Sequence, residues 1–561
     1  MNSTFVKEID QDLENKKIIA QFDAELVKAA ARKLKPDKSD VSGNFTSDCI
    51  ISAPNSLFIH LSALFQGFLH HGYISPILLE CALCPIVKDP NGDIAASKNY
   101  RGIAISSLIL KIFDNCILML MGNLLSNDDL QFGFQPGSST IQCTWAVQQT
   151  ISHYLQRGSD VFCCLLDFSK AFDKVNFEKL FLKLRDRKLP GVVLRLLVNI
   201  YMHQVCYIRW NGFQSNYFKV KNGVRQGAIL SPTLFCVYLD TLFSELRSAG
   251  VGCHIGSYFL RAFGYADDVT LLAPSRESLQ MMLKICECYA DTHSMLFSTD
   301  IDSRKSKTKC MFFSSKRSPD EVKPVVLNGN KLPWVSSAKH LGNLLSTKIS
   351  YGTKSPDMKS DLLCKRGILF DSVHKIQQQF GYCHPSLVMK LVGIYSTSLY
   401  GSPLWEYFTP DYLKLTRSWN TVIKMVWNLP HATHTRFIES LSPIPHLGSA
   451  LEGKYIGFLN ALSNTQKPFL SLLFNACKYD KFTVTGRNIE TLMTTYEKRN
   501  LKLLLNRHND VKRKRRYHLE EDECWKISMI KELSLAFKGH ISLDLMEEDV
   551  TQILEFICTS Q

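Results

Sequence analysis

The tightest constraint on the fold is the run Val-Phe-Cys-Cys-Leu-Leu at 161–166, which ends on an acid, Asp167. Side chains of a strand alternate between two faces, so six consecutive apolar residues must be covered on both sides, as in the centre of a sheet. Further on, the apolar runs Phe259–Phe263 and Val269–Ala273 flank Gly-Tyr-Ala-Asp-Asp. That pattern predicts a strand–turn–strand hairpin with two carboxylates, Asp267 and Asp268, at its tip. Between these features Ser231-Pro232 opens a helix, with serine as N-cap and proline in the first position. Phe235, Tyr238, Leu239, Leu242, Phe243 and Leu246 give it one apolar face, and Gly250 closes it. Residues 1–35 read as helical, and a second helix is predicted from Asn55 to His70. From about 80 to 345 short apolar runs alternate with amphipathic helices, a mixed α/β pattern; beyond about 350 the pattern is mostly helical.

Hydrophobic residues make up 45 % and charged residues 21 % of the 561, which excludes a wholly disordered or collagenous chain. The net charge of +14 favours a polyanionic partner, nucleic acid or an acidic membrane surface, without choosing between them. The polar start MNSTFVKEIDQDLENKK has no apolar core of a secretory signal. The longest apolar candidate for a membrane span, Gly102 to Leu125, is interrupted by Lys111 and Asp114. The expectation is therefore a soluble intracellular protein with no membrane partner. Several of the 18 cysteines (Cys163, Cys164, Cys236) sit inside apolar runs, as reduced core thiols do. Cys81-x-x-Cys84 has no second pair at zinc-site spacing. The charge is uneven: 498–516 hold nine bases and one acid, whereas 517–561 hold ten acids and three bases.

One acid ending a buried strand and two at a hairpin tip are costly to hold together unless something compensates their charge. Mg²⁺ would do so, because it takes hard oxygen ligands and is commonly held by one or two carboxylates plus substrate phosphates. Two such ions suit in-line phosphoryl transfer. Solvated turn aspartates are the alternative for Asp267-Asp268 taken alone.

The surroundings of these acids resemble the reverse transcriptase domain of non-LTR (LINE-like) retrotransposons. LLDFSKAFDKV (165–175), NGVRQGAILSPTLFCVYLD (222–240) and FGYADDVTLLA (263–273) are similar to the family's three catalytic motifs, in order. ALCPIVKDPNGDIAASKNYRGIAIS (82–106) and LQFGFQPGSST (130–140) resemble its fingers motifs and the segment after them. SKTKCMFF (306–313) and KHLGNLLS (339–346) resemble its fourth palm motif and primer-grip region. The resemblance implies an α+β, right-hand polymerase fold: an antiparallel palm sheet flanked by helices, with fingers, then a mostly helical thumb and C-terminal region. The implied parts are a helical N-terminal extension (1–79), fingers and palm (80–346), a helical thumb or connection (347–480) and a C-terminal region with the basic band and acidic tail (481–561).

The resemblance also implies roles. Asp167, Asp267 and Asp268 match the catalytic, metal-binding aspartates, holding two Mg²⁺ ions, with Mn²⁺ as an alternative. Phe172 matches the gate that excludes a 2′-hydroxyl; its alternative is one more core phenylalanine. Gln226 and Gly227 match the loop touching the nascent pair and template, although Arg-Gln-Gly alone reads as an ordinary turn. Tyr265 belongs to the Tyr-Ala-Asp-Asp motif beside the nucleotide. Arg101, with Lys88 as a second candidate, matches the grip on the triphosphate. Lys307 matches the lysine near the departing pyrophosphate, with Lys305 and Lys309 as neighbours. Lys512, Arg513, Lys514, Arg515 and Arg516 form a nuclear-import or nucleic-acid patch, or else a solvated helix face. The chain departs from the family at Gly102, where proline is usual, at Gln135, where arginine is common, and in a longer segment at 298–309.

The partners implied are an RNA template, a DNA primer and product, and dNTPs, in a ribonucleoprotein of nucleus or cytoplasm. About 80 residues precede the fingers, too few for an N-terminal endonuclease. Cys477, Cys524, Cys558, His508, His518 and His540 lack zinc-ligand spacing. Endonuclease activity is therefore expected from elsewhere, and no RNase H pattern is evident after 346. The competing readings are a non-catalytic nucleic-acid-binding relic and a group II intron maturase; DFSKAFD favours the retrotransposon group over the latter.

Overall fold

The computed structural model describes residues 12–505, apart from 91, 300–305, 351, 398, 439–440, 443–444 and 499. The Lys512–Arg516 patch and the acidic tail lie outside the described residues, as does Lys305. The chain divides into two compact units at Leu341/Gly342.

In the first unit the elements used below are helices α1 (Asp12–Ala20), α2 (Ala24–Ala31) and α3 (Asn55–His71), strands β1 (Glu80–Val87) and β2 (Tyr100–Ser106), helices α4 (Leu108–Met121) and α5 (Thr140–Gln156), strands β3 (Val161–Asp167), β4 (Val205–Trp210) and β5 (Phe213–Gln214), helix α6 (Ser231–Ser248), strands β6 (Ala262–Tyr265) and β7 (Asp268–Ala273), helix α7 (Arg276–Thr292) and strand β8 (Lys309–Phe313). They form an α+β fold. The single helix expected over 1–35 is broken between α1 and α2, because the Asp23 side chain accepts from the Leu26 amide at 2.8 Å and starts a new helix.

The central sheet has the order β8-β3-β7-β6, all antiparallel. As the apolar run demands, β3 is interior, and Val161–Leu166 are all buried. Helices α5 and α7 pack on this sheet. A second sheet runs β2-β1-β4-β5; β1 is antiparallel to β2 and parallel to β4. The β4–β5 hairpin turns at Asn211-Gly212, both at positive φ (48° and 81°), the pairing a type I′ turn requires.

The N-terminal helices share a core with the rest of this unit. Phe22 stacks on Phe113 of α4 (centroids 5.5 Å), and Phe65 meets the same ring edge-on at 5.2 Å. Asn115 of α4 donates to the Ala30 carbonyl at 3.0 Å.

The hairpin and the α6 start differ from expectation by one to three residues. Tyr258–Phe259 pairs with His254–Ile255 as a separate ribbon, and the hairpin strand runs Ala262–Tyr265. Between them Arg261 is buried; its side chain donates to the Arg247 carbonyl at 3.1 Å and to that of Leu246, closing the end of α6, while its own carbonyl accepts from the Leu272 amide at 2.7 Å. Helix α6 begins at Ser231 with Leu230 as its N-cap and Pro232 in the second position, because Asp114 draws the Leu230 amide to its carboxylate at 3.3 Å.

The second unit is helical around Lys359–Phe380, Pro385–Tyr395, Pro410–Val426, Leu447–Ser463, Pro468–Cys477 and Val484–Thr495. Its core holds Tyr407 against Tyr412 (4.6 Å) and Tyr455 (4.9 Å), and Trp405 donates to the buried Asp361 at 2.8 Å. Among the described residues no helix is long and apolar enough to cross a membrane.

Candidate active site

Strand register brings the three acids together. Asp268 opens β7 directly opposite Asp167 at the end of β3, and it also faces Tyr265 across the hairpin. The two turn residues are therefore Ala266 and Asp267 alone. Partial desolvation raises the carboxyl pKa of all three, even of Asp268 with its exposed side chain, and neighbouring acids add to it at Asp267 and Asp268. Asp268 is pushed up to about 6 by burial, then by the charges of Asp267 and Asp167. Asp267 is raised by burial and by Asp167, against the pull of Arg101 and Lys307. Asp167 is raised by burial, with Lys307 opposing.

Arg101 and Lys307 offset part of this charge. Lys307 Nζ lies 3.7 Å from Asp167 Oδ2, an ion pair beyond hydrogen-bond reach on an exposed lysine, worth at most about 1 kcal/mol. Lys309, by contrast, is fixed in β8 opposite Leu165. The ammonium pKa of Lys88 is lowered by burial, then by Arg101, Lys307 and Lys170. Those four cations thus lie near one another, and of them Arg101 and Lys307 act on the aspartates. Lys170, at φ 51° at the start of the 171–174 turn, is a member the sequence reading overlooked.

Asp167 Oδ2 is shielded from solvent and accepts no hydrogen bond. Among the described residues no three His, Cys, Asp or Glu side chains are drawn together as a finished metal cage. An unsatisfied carboxylate oxygen on a strand end whose register partner is a second acid fits a hard divalent ion that keeps water and phosphate oxygens as its other ligands.

The expected nucleotide loop lies against the second sheet. The Ala104 amide of β2 donates to the Gln226 carbonyl at 2.6 Å, and Gly227 sits at φ 127° on the Ala104 backbone. Val224 and Gly223 donate to the carbonyls of Phe172 and Val175, both at 2.8 Å, joining this loop to the segment after β3. Phe172 is half-buried and stacks flat on Phe235 of α6, centroids 4.6 Å and 12° apart. Gly102 lies in β2 opposite Pro85, with open space where a Cβ would stand.

Two buried polar residues that support the site carried no sequence signal. Arg225, one residue before Gln226, is buried, and its charge opposes the burial that raises Asp114 to about 6. His340, within the expected primer-grip motif, is buried between the hydroxyls of Thr144 (Nδ1, 2.9 Å) and Thr270 of β7 (Nε2, 3.0 Å). Burial holds its pKa down to about 4. The unfolded chain, with an ordinary histidine near 6.5, then binds a proton that the folded one refuses as pH falls. The stability His340 contributes is present above pH 6.5 and is lost toward pH 4, by roughly 3 kcal/mol in full. In denaturant unfolding, His340→Gln is expected to lose less stability than wild type between pH 7 and pH 4.5. Equal losses would remove His340 from the acid response.

A strand-end acid paired in register with an acidic hairpin, with Arg101 and Lys307 acting on it, is an arrangement that can serve metal-assisted phosphoryl transfer. Residues 87–342 match the family model described as reverse transcriptase (RNA-dependent DNA polymerase). That stretch is similar to the reverse transcriptase domains of non-LTR retrotransposon proteins. The chain is 25 % identical over 307 residues to a Pol polyprotein of retrotransposable element R2 from Nasonia vitripennis, covering 54 % of this chain and 29 % of that one. It is 24 % identical over 322 residues to a probable RNA-directed DNA polymerase from transposon X-element of Drosophila melanogaster, covering 56 % and 34 %. The chain thus spans about a third or less of these relatives' length. A solved Candida albicans telomerase in complex with a fragment of telomeric RNA aligns over 75 % of this chain and 69 % of its own, at 10 % identity and a TM-score of 0.32.

Proposed function

We propose that this chain is an RNA-directed DNA polymerase that extends a primer 3′-hydroxyl with dNTPs on an RNA template. In this reading residues 80–346 are fingers and palm, and the helical residues 347–480 are the thumb. The observation that carries it is the register of Asp167 against Asp268 with Asp267 in the turn, inside a matched reverse transcriptase domain.

Asp167, Asp267 and Asp268 would hold Mg²⁺, or Mn²⁺ in its place. When bound, such ions supply charge stabilisation for in-line phosphoryl transfer and activation of the attacking hydroxyl. The protein's own contribution is positioning and electrostatics. Arg101 and Lys88 grip the triphosphate, and Lys307 meets the charge that develops on the leaving pyrophosphate. The Gln226-Gly227 backbone, pinned to β2, bounds the nascent pair, and Tyr265 lies beside it across from Asp268.

The test is primer extension on an RNA template with dNTPs and Mg²⁺ or Mn²⁺. Product that depends on dNTP, template and metal is expected; no product in either metal would sink the reading. The same assay tests Phe172, whose ring is held in place by Phe235. Phe172→Val is expected to raise ribonucleotide incorporation relative to deoxynucleotide by roughly 10–100-fold, since a shape filter of a few methyl groups discriminates on that scale. An unchanged ratio would leave Phe172 a packing residue.

A further inference from the structure

We propose that Gln131 is the positioning residue of the aspartate hairpin: its buried amide holds Ala266 in a left-handed backbone conformation that sets Asp267 and Asp268 against Asp167. The inference rests on the polymerase reading and deepens it.

The starting point is the turn. Ala266 sits at φ 57°, while Asp267 does not share the positive φ. A two-residue hairpin with positive φ at its first position only is the pattern of a type II′ turn, which prefers glycine there. An alanine at that position is strained, and such strain persists only where the surroundings over-determine it.

Gln131 supplies that determination. It is 1 % exposed and lies 135 residues away in sequence. Its Oε1 accepts from the Ala266 amide at 2.9 Å and from Gly133 at 2.8 Å, and its Nε2 donates to the Ala266 carbonyl at 3.4 Å. Both polar groups of the strained residue are therefore met by one side chain. The glutamine is in turn fixed by backbone bonds on either side: Phe132 donates to the Gly264 carbonyl (2.7 Å) and Gly264 to that of Leu130 (2.9 Å).

The fit leaves no slack. A Cβ on Gly133 would stand 2.2 Å from the Ala266 nitrogen, and one on Gly264 would stand 3.0 Å from Gln131 Nε2 and 2.5 Å from the Phe243 ring. Two glycines thus make room for the clamp to reach the turn. A core glutamine with no bearing on the acids would need only satisfied hydrogen bonds; this one spends them on the residue whose conformation aims the aspartates.

Three variants test it: Gln131→Met, which keeps the shape and removes both bonds; Gln131→Glu, which keeps the acceptor; and Gln131→Met combined with Ala266→Gly. The readouts are hydrogen exchange at the Ala266 amide, kcat and dNTP KM in primer extension, and the unfolding midpoint. In Gln131→Met, Ala266 exchange should rise at least about 10-fold. Its kcat should fall about 100-fold with KM within about 3-fold, as expected of a misplaced catalytic group. Gln131→Glu should keep the Ala266 protection and most of the kcat. Adding Ala266→Gly to Gln131→Met should recover about 10-fold in kcat, because glycine takes the same φ without a clamp. Unchanged exchange, a kcat near wild type in Gln131→Met, or no recovery with Ala266→Gly would each overturn the proposal. Should Gln131→Met not fold, loss of Ala266 protection in Gln131→Glu overturns it and retention supports it. If the wild-type protein extends no primer, the polymerase reading falls, and exchange at Ala266 still decides whether Gln131 holds the turn.

Discussion

Asp267→Asn is expected to abolish primer extension, by at least about 10³-fold, and at the same time to leave a protein no less stable than wild type. The first effect follows from position: Asp267 is in the turn itself, beside an Asp268 that register sets against Asp167. An amide in its place removes a charge that would hold the metal and alters nothing in the hairpin's pairing. The second effect follows from the sign of the pKa shifts. Asp268 is raised to about 6 by burial and by the charges of Asp267 and Asp167. A carboxyl with a raised folded pKa costs stability as pH climbs from its ordinary value through the raised one, because the folded state must give up a proton it binds more tightly than the unfolded chain does. Removing the Asp267 charge relieves Asp268. The unfolding midpoint of Asp267→Asn should therefore exceed that of wild type above pH 6, and the two should converge below pH 4. The solvent still reaching Asp268 trims the gain. Extension by the variant within 10-fold of wild type would remove Asp267 from the site; a lower midpoint at pH 8 would show that the carboxylate makes a stabilising contact that outweighs the repulsion.

The parts legible in the sequence were those whose signal is local. Six apolar residues ending on an acid read as a central strand, and β3 lies where that reading puts it. The Tyr-Ala-Asp-Asp hairpin was legible too, but its start was displaced because Arg261 lies in the apolar run while being buried, bonded back to the end of α6. Periodicity reads a strand through such a residue. Gln131, Arg225 and His340 were invisible for a related reason. Each is a polar residue buried against partners more than 100 positions away, or, for His340, 70 and 196 away. No local pattern separates them from surface residues. Lys307 and Lys309 are likewise told apart only by the strand: Lys309 is inside β8, and Lys307, before it, lies 3.7 Å from Asp167.

Gly227→Val is the second change expected to have a large effect, and it acts without touching an acid. Gly227 lies at φ 127°, and a Cβ there would stand 2.4 Å from the Ala104 carbonyl oxygen of β2. The obstacle is backbone, which cannot swing aside as a side chain would. The substitution adds a disfavoured φ, worth about 1–3 kcal/mol, to that collision. The loop must then leave β2, breaking the 2.6 Å bond from the Ala104 amide to the Gln226 carbonyl and moving Gln226 with it. Displacement of about 1 Å at a reacting site costs on the order of 100-fold in rate, so activity should fall by at least that much. Gly102 offers the contrast within the same strand: it has open space at its Cβ position and no positive φ, so Gly102→Ala should leave the unfolding midpoint where it was. If Gly227→Val kept activity within about 3-fold of wild type, the loop would not be seated on β2 during extension, since a seated loop cannot avoid the collision.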